Sequence, residues 1–282
     1  MKKPYHRQYQ YKKRKSIFRS SYFWFLMLLI IVACGFCYLI YLSPVFQIKN
    51  INISGNEKVN GEEAFNSISR RIENTFLLLP SKSIFLADLE SMSKDFMQEF
   101  PQVRIVNLRK GLPDQIFVSI EERKPVAVFS QNRIILFDAN QSKNQESLSV
   151  EELFYLDKEG TIFESISDKD DFVKITKSQT DTNYVLGDQV IDEKILSEIM
   201  EIDPKLKLDL KISIQDFDLQ ADDWLVVRAE DNWQMYFNPQ EDVKWQLTKL
   251  KAVLEEKIPS EKRKDLEYID LRFGNLAPYK YR

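Results

Sequence analysis

The sequence has very few residues of the types on which most enzyme sites depend. Its 282 residues include two cysteines, one histidine and seven glycines. The histidine, His6, lies in a basic N-terminal arm, and both cysteines, Cys34 and Cys37, lie in a long apolar run. The rest of the chain therefore has no thiol nucleophile, no histidine base, no cysteine or histidine metal ligand and no internal disulfide.

Sequence signatures of common active sites are missing as well. There is no G-x-G-x-x-G or P-loop cluster for a nucleotide, no G-x-S-x-G nucleophile elbow and no Asp-rich calcium loop. Acidic pairs such as Glu121-Glu122 and Asp222-Asp223 do occur, but adjacent carboxylates on a strand point to opposite faces, so we interpret them as solvated edges and turns. We therefore expect no catalytic residues, no cofactor, no metal and no small-molecule substrate.

Positive charge is concentrated at the N-terminus. Residues 1–20 contain eight basic and no acidic residues, whereas residues 21–282 contain 32 basic and 43 acidic residues. Because the basic arm lies beside an apolar segment, membrane topology and contact with anionic lipid explain its charge better than nucleic-acid binding does. The residues that we expect to determine the topology are Lys12, Lys13, Arg14, Lys15 and Arg19.

A single segment is long and apolar enough to cross a membrane. No charged residue occurs from Ser20 to Ile48. Residues 22–42 form a predicted transmembrane helix, since at about 1.5 Å per residue they extend roughly 31 Å, close to a hydrocarbon core of about 30 Å. The basic residues that precede it place the arm at 1–21 in the cytoplasm and the region after it outside.

The two cysteines allow special interpretations of this segment, which we disfavour. Residues 31–34, IVAC, resemble a lipid-attachment box, but the sequence stays apolar after Cys34. The C-x-x-C spacing of Cys34 and Cys37 suits a redox or metal motif, yet within a membrane helix two small apolar residues are the simpler interpretation. A cleaved signal peptide is disfavoured because the apolar run exceeds the usual 7–15 residues and no Ala-x-Ala site follows.

The region directly after the apolar segment alternates between predicted strands and helices. A strand within 46–53 is followed by two amphipathic helices, near 64–72 and 89–100, and Pro101 ends the second. Strands at 103–108 and 116–121 are joined through the turn residues 111–114, GLPD. The predicted order is therefore β-α-α-β-β.

The remaining sequence is rich in predicted strands. A helical stripe at 191–199 is expected to end at Asp203-Pro204, and a late helix carries apolar residues at 243, 247, 250 and 254. The alternation of Ile269, Leu271 and Phe273 with polar residues predicts a last strand. Residues 138–152 are mostly polar, and we expect them to form a mobile surface loop.

Three stretches resemble a known family. Residues 100–129, FPQVRIVNLRKGLPDQIFVSIEERKPVAVF, resemble the end of the polypeptide-transport-associated (POTRA) domain of the bacterial cell-division family FtsQ/DivIB, with departures at Val106 and Lys110. Residues 154–163, FYLDKEGTIF, and 268–273, YIDLRF, resemble motifs of that family's β domain. The resemblance follows the chain in order, apart from the polar stretch at 138–152 and the absence of a tail after Arg282.

The resemblance implies an α+β fold with a single N-terminal transmembrane helix. A small β-α-α-β-β POTRA-like domain would occupy residues 43–124. A mixed, strand-rich β domain with a late helix would occupy residues 125–282.

The resemblance also implies a function. The protein would be a non-enzymatic divisome scaffold in the bacterial cytoplasmic membrane, located at the division septum. It would bind FtsB-like and FtsL-like bitopic division proteins, contact other divisome proteins through the POTRA domain and help to control septal peptidoglycan synthesis. A partner strand would add to the edge of the last sheet, since edge strands offer unpaired backbone groups. The expected contact residues are Phe273, Leu276, Tyr279 and Tyr281.

Two other functions are compatible with an anchored outer region. A POTRA-containing secretion or assembly component would require repeated POTRA units or a barrel of many strands, and 282 residues leave little room for either. A membrane-tethered wall enzyme would require catalytic groups that the outer region lacks, and a wall-hydrolysis assay would identify it.

Overall fold

In a computed structural model, the chain is described for residues 21–76, 79–136, 147–167, 171–178 and 183–282. The predicted topology residues Lys12, Lys13, Arg14, Lys15 and Arg19 lie outside these ranges. The described residues form two compact units. The first contains residues 21–54, the described part of 61–93, and 107–119, and the second contains residues 55–60, 94–106 and the described part of 120–282.

Helix α1 (Ser21–Tyr41) is the predicted membrane-spanning helix. It is apolar around its whole circumference, and none of its residues is buried against protein. A helix that is apolar on every side needs an apolar environment, and 21 residues extend about 31 Å, enough to cross a bilayer. It is long and apolar enough to span a membrane, as predicted for residues 22–42.

The region after α1 has the predicted β-α-α-β-β order with one additional hairpin. In chain order its elements are β1 (Asn50–Ser54), α2 (Gly61–Ile72), β2 (Asn74–Phe76), β3 (Leu79–Ser81), α3 (Leu89–Glu99), β4 (Val103–Gly111) and β5 (Gln115–Glu122). Strands β1, β5 and β4 form a three-stranded sheet in that order, and β1 runs parallel to β5. The short antiparallel hairpin of β2 and β3 was not predicted.

Simple periodicity explains the main elements of this region. Ile116, Val118 and Ile120 alternate along β5 and are all buried. In α2, the buried residues Ala64 and Ile68 are four apart and therefore share a face. Acidic residues occupy the first turn of α2 and basic residues its last turn, which complements the helix dipole.

The second part of the chain forms a nine-stranded mixed sheet with two helices. Its elements are β6 (Ala127–Leu136), β7 (Ser147–Leu156), β8 (Ile162–Ile166), β9 (Val173–Thr176), α4 (Glu193–Pro204), β10 (Ile214–Ala221), β11 (Trp224–Ala229), β12 (Gln234–Phe237), α5 (Val243–Glu256), β13 (Leu266–Asp270) and β14 (Tyr279–Tyr281). The strand order is β14-β13-β12-β11-β10-β9-β6-β7-β8. The α+β class that the sequence predicts, with its late helix, is confirmed.

One apolar core holds this sheet and its helices together. Its largest fully buried side chains include Trp233, Phe217 and Phe237, from strands or their ends. Both helices contribute their apolar stripes to the same core, Ile195, Leu196, Ile199 and Ile202 from α4 and Val243, Leu247, Leu250 and Leu254 from α5. Each fully buried side chain of this kind contributes roughly 1.5–3 kcal/mol of transfer free energy.

The predicted surface loop at 138–152 is wrong at its C-terminal end. Residues from Ser147 onward belong to β7, and Ser147–Glu152 pair with Leu136–Gln131 of β6. Leu148 and Val150 alternate with polar residues, which is the period of a strand, so the polar composition was misleading. The predicted loop residues at 138–146 lie outside the described residues.

The predicted end of α4 at Asp203-Pro204 is confirmed for the α-helix itself, which ends at Pro204. The chain continues directly into a π-helical turn, Lys205–Asp209. Leu206 in this turn is fully buried in the core. Burial of that side chain offsets the hydrogen bond that proline cannot donate.

The carboxylate of Glu122, at the end of β5, organises a backbone loop in the second unit. It accepts hydrogen bonds from the N–H groups of Glu57 (2.7 Å), Lys58 (2.9 Å) and Val59 (2.9 Å). Partial burial by itself would raise the pKa of this carboxyl. The three N–H groups outweigh that effect and hold the pKa below its ordinary value of 4.5.

Replacement of this carboxylate should lower stability in a pH-dependent way. We expect Glu122→Gln to reduce the free energy of unfolding by about 1 kcal/mol at neutral pH, since hydrogen bonds to a charged acceptor are lost. Because the folded pKa is lowered, the stabilisation is present above the pKa of the unfolded state and disappears as pH falls through the folded pKa. Urea unfolding measured from pH 7 to pH 3 should therefore show that the free energies of unfolding of wild type and Glu122→Gln converge as the pH falls. The matched control is Glu57→Gln, and a constant difference between Glu122→Gln and wild type would contradict the prediction.

Candidate partner-binding edge

Strand β14 forms one edge of the nine-stranded sheet. It pairs antiparallel with β13 through Leu266 and Tyr281, Tyr268 and Lys280, and Ile269 and Tyr279. In the described part of the chain, no strand pairs with the other side of β14. An edge of this kind offers unpaired backbone N–H and C=O groups.

The hydrogen-bond pattern shows which backbone groups face outward. The carbonyl of Pro278 accepts from the N–H of Asp270 (2.8 Å), and the N–H of Arg282 donates to the carbonyl of Asp265 (2.9 Å). Inward and outward positions alternate along an antiparallel strand, so the backbone groups of Tyr279 and Tyr281 point away from the sheet. Pro278 lies just before β14, where pairing with Asp270 uses its carbonyl and does not require an N–H group, which proline lacks.

The structure separates the four predicted contact residues into two pairs. Tyr279 and Tyr281 lie on β14 itself, with ring centroids 5.7 Å apart in an edge-to-face arrangement. Tyr279 is 39% exposed, whereas Tyr281 is partly buried against the core. Phe273 and Leu276 lie in the turn between β13 and β14 and are 55% and 71% exposed. The N–H of Leu276 donates to the carbonyl of Phe273 (2.7 Å), which closes this turn.

A buried lysine on α5 holds the same turn in place. The ammonium of Lys249 donates to the carbonyl oxygens of Leu271 (2.5 Å) and Gly274 (2.8 Å), and the carbonyl of Leu276 is 3.5 Å away. Only 7% of Lys249 is exposed. Desolvation lowers the pKa of Lys249, and the charges of Glu241 and Asp270 oppose that shift. Three carbonyl oxygens thus converge on one amine and fix the path that leads into β14.

Arg272, just after β13, stacks on aromatic rings of β11 and β12. The guanidinium of Arg272 binds both carboxylate oxygens of Asp270, at 3.0 and 2.7 Å. Its carbon atom lies 4.7 Å from the ring centroid of Trp224 and 5.5 Å from that of Tyr236. Hydrogen bonds with Asp270 raise the pKa of Arg272, so the group stays charged. Cation–π contacts of this kind fix an arginine firmly on a sheet surface.

The sequence interpretation missed Lys249, Arg272 as a stacked cation, and Trp224. Trp224 is only half-buried, and its ring NH has no hydrogen-bond partner among the described residues. Lys249 directly precedes Leu250, which is fully buried, and this position beside the apolar stripe was the available signal. Nothing in the sequence identified its three carbonyl partners, which lie 22 to 27 residues away. The open edge at β14, with its preceding turn held by Lys249, is suited to pairing with an extended peptide.

Comparison with known proteins matches two family profiles to the chain. The profile described as POTRA domain, FtsQ-type, matches residues 46–123, and that described as Cell division protein FtsQ/DivIB, C-terminal, matches residues 148–272. The chain belongs to the FtsQ/DivIB family. The resemblance noted in the sequence is therefore confirmed, and the three-stranded region is the POTRA domain of an FtsQ-type protein.

Two similar proteins carry the name Cell division protein FtsQ. That of Burkholderia pseudomallei is 26% identical over 157 residues, which cover 55% of this chain and 59% of the relative. That of Syntrophotalea carbinolica is 25% identical over 113 residues, which cover 40% of this chain and 37% of the relative. The aligned region thus spans between about a third and three fifths of these relatives.

The FtsQ/DivIB profile and the candidate edge overlap only in part. The C-terminal match ends at residue 272 and so includes Asp270 and Arg272. The turn at 273–278 and strand β14 lie beyond it. The hydrogen bonds of Lys249, here called the lysine clamp, therefore link a residue inside the FtsQ/DivIB match to the turn at 273–278, which lies outside it.

Loss of the lysine clamp should loosen β14. We expect Lys249→Met to reduce stability by about 1–3 kcal/mol, because the carbonyls of Leu271 and Gly274 lose a buried donor. Hydrogen exchange at Lys280 and Arg282 should accelerate more than exchange in the central strand β11. Lys251→Met, on the exposed side of α5, is the matched control. Unchanged exchange at Lys280 in the Lys249→Met variant would show that the turn holds its path without the lysine.

Proposed function

We propose that this chain acts in cell division as a non-enzymatic scaffold that binds FtsB-like and FtsL-like bitopic proteins and helps to control septal peptidoglycan synthesis. The single observation that carries the proposal is the open edge at β14, in a chain that belongs to the FtsQ/DivIB family. A surface that pairs with an incoming strand requires no reactive group.

Recognition at this edge would combine backbone pairing with side-chain anchors. The outward N–H and C=O groups of Tyr279 and Tyr281 accept a partner strand, and the exposed side chains of Phe273 and Leu276 supply apolar contacts beside it. Arg272 is already paired with Asp270 and supports the segment that leads into this turn. Lys249 holds the turn before a partner arrives, which lowers the entropy cost of binding.

The location and topology follow from the same proposal. The chain is a single-pass membrane protein, and we propose that its basic arm is cytoplasmic while residues from Ser43 onward lie outside the cytoplasmic membrane. We further propose that the protein accumulates at the septum. The POTRA-like domain at 43–124 would contact other divisome proteins, and the β domain at 125–282 would bind the FtsB-like partner.

Removal of two exposed aromatic anchors should weaken partner binding. We expect Phe273→Ala combined with Tyr279→Ala to lower affinity for the FtsB-like partner by at least about tenfold, since exposed aromatic anchors commonly dominate interfaces. Co-purification of the full-length proteins measures this effect. Phe65→Ala, which removes another exposed phenylalanine from helix α2, is the matched control. Equal recovery of the partner with wild type, the double variant and the Phe65→Ala control would contradict the proposal that this edge binds the partner.

A fluorescent fusion in growing cells should reveal the site of action. We expect accumulation at midcell before constriction, because a scaffold for septal synthesis must arrive before the septum forms. A uniform membrane signal throughout the cell cycle would argue against the proposed function. A separate assay of the outer region for wall hydrolysis should show no turnover.

A further inference from the structure

The end of helix α1 is hydrogen-bonded to other residues of the first unit. The carbonyl of Tyr41 accepts from the hydroxyl of Ser81 (2.6 Å) and from the side-chain amide of Gln47 (3.2 Å). The carbonyl of Ile40 accepts from the hydroxyl of Ser83 (2.8 Å). These are carbonyls that a helix leaves without partners at its C-terminus. One end of the first unit is therefore held at the point where the helix leaves the bilayer.

The hairpin between β4 and β5 turns at this same end. The N–H groups of Lys49 and Asn50 donate to the carbonyl of Asp114, at 2.9 and 3.3 Å. Asn50 is aligned with Gln115 in the parallel pair of β1 and β5. Lys49 is only two residues beyond Gln47, or at most about 7 Å of extended chain. The hairpin tip, residues 111–114, thus lies close to the end of α1.

Three exposed apolar side chains share this end of the unit. Leu112, at the hairpin tip, is 65% exposed, and Val45, in the segment after α1, is 55% exposed. Phe85, two residues after the helix-capping Ser83, is 43% exposed, and its ring lies 5.2 Å from that of Phe46. Large apolar groups exposed together generally mark a contact surface.

Two basic residues directly precede the hairpin tip. Arg109 and Lys110 are exposed at the end of β4, and neither has an ion-pair partner in the described part of the chain. The other lysines at this end are already paired, Lys49 with Asp114 (3.4 Å) and Lys82 with Glu73 (2.9 Å). Arg109 and Lys110 are therefore the cations available to an external anion.

The dimensions of a bilayer bring this surface to the lipid headgroups. Helix α1 matches the hydrocarbon thickness, and the headgroup layer extends roughly 5–7 Å beyond it on each side. Apolar side chains near this depth enter the boundary between headgroups and acyl chains, while basic side chains pair with lipid phosphates. Leu112 with Arg109 and Lys110 has this composition.

We propose that the hairpin tip is a second membrane contact, separate from α1. Leu112 enters the headgroup region, supported by Val45 and Phe85, and Arg109 and Lys110 bind the phosphates of anionic phospholipid. The contact fixes the orientation of the first unit on the membrane. It is independent of the proposed partner at β14, so either proposal stands if the other fails.

Fluorescence quenching in a bilayer tests the proposal. The full-length chain, with Cys34→Ala and Cys37→Ala, carries an environment-sensitive fluorophore at Leu112→Cys and is reconstituted in nanodiscs of phosphatidylglycerol and phosphatidylcholine. Lipids with a nitroxide just below the headgroup act as quenchers. The matched control carries the fluorophore at Ser119→Cys, an exposed site at the far end of the β1 and β5 pairing.

The proposal predicts that emission of the fluorophore at position 112 is shifted to the blue and strongly quenched by the nitroxide lipids. Emission of the fluorophore at position 119 should show neither effect. Adding Arg109→Glu and Lys110→Glu should reduce the quenching at position 112 in phosphatidylglycerol. Absence of quenching at both positions would overturn the proposal, and so would equal quenching at both. Shielding of position 112 that requires an added protein would assign the tip to a protein contact instead.

Discussion

Every backbone N–H and C=O that leaves water needs a hydrogen-bond partner, and this requirement organises the whole chain. Where strands and helices end, side chains supply the missing partners. Ser81 and Ser83 bind the last carbonyls of α1, Glu122 binds three N–H groups of the loop before α2, and Lys249 binds the carbonyls of the turn before β14. Among the described residues, no strand pairs with the outer side of β14, and this edge is where we propose that the partner binds.

Much of the fold was predictable because it depends on local periodicity. Alternating burial along β5 and the apolar stripe of α5 follow directly from the spacing of apolar residues. The side-chain partners were not predictable, since Glu122 and Lys58 are 64 residues apart and meet only through the tertiary fold. Polar composition concealed the start of β7, and nothing in the sequence indicated the π-helical turn after Pro204, in which Leu206 is buried.

The candidate edge was partly predictable. Tyr279 and Tyr281 were among the expected contact residues, and both lie on the edge strand. Sequence alone could not show that the turn before them is clamped from α5, or that Arg272 stacks on Trp224, because both contacts join separate elements. The FtsQ/DivIB match ends at residue 272, so the family comparison does not cover the turn at 273–278 or β14.

The shortness of β14 has a consequence for affinity. Two residues with outward groups offer at most four backbone hydrogen bonds, and at about 1 kcal/mol each these correspond to only roughly millimolar binding. In free solution such an edge would hold a strand briefly. Confinement of this chain and the proposed partner to one membrane would raise their effective concentration, so that a weak site would suffice without any new contact. The transmembrane helix would then strengthen an interaction that it does not itself make.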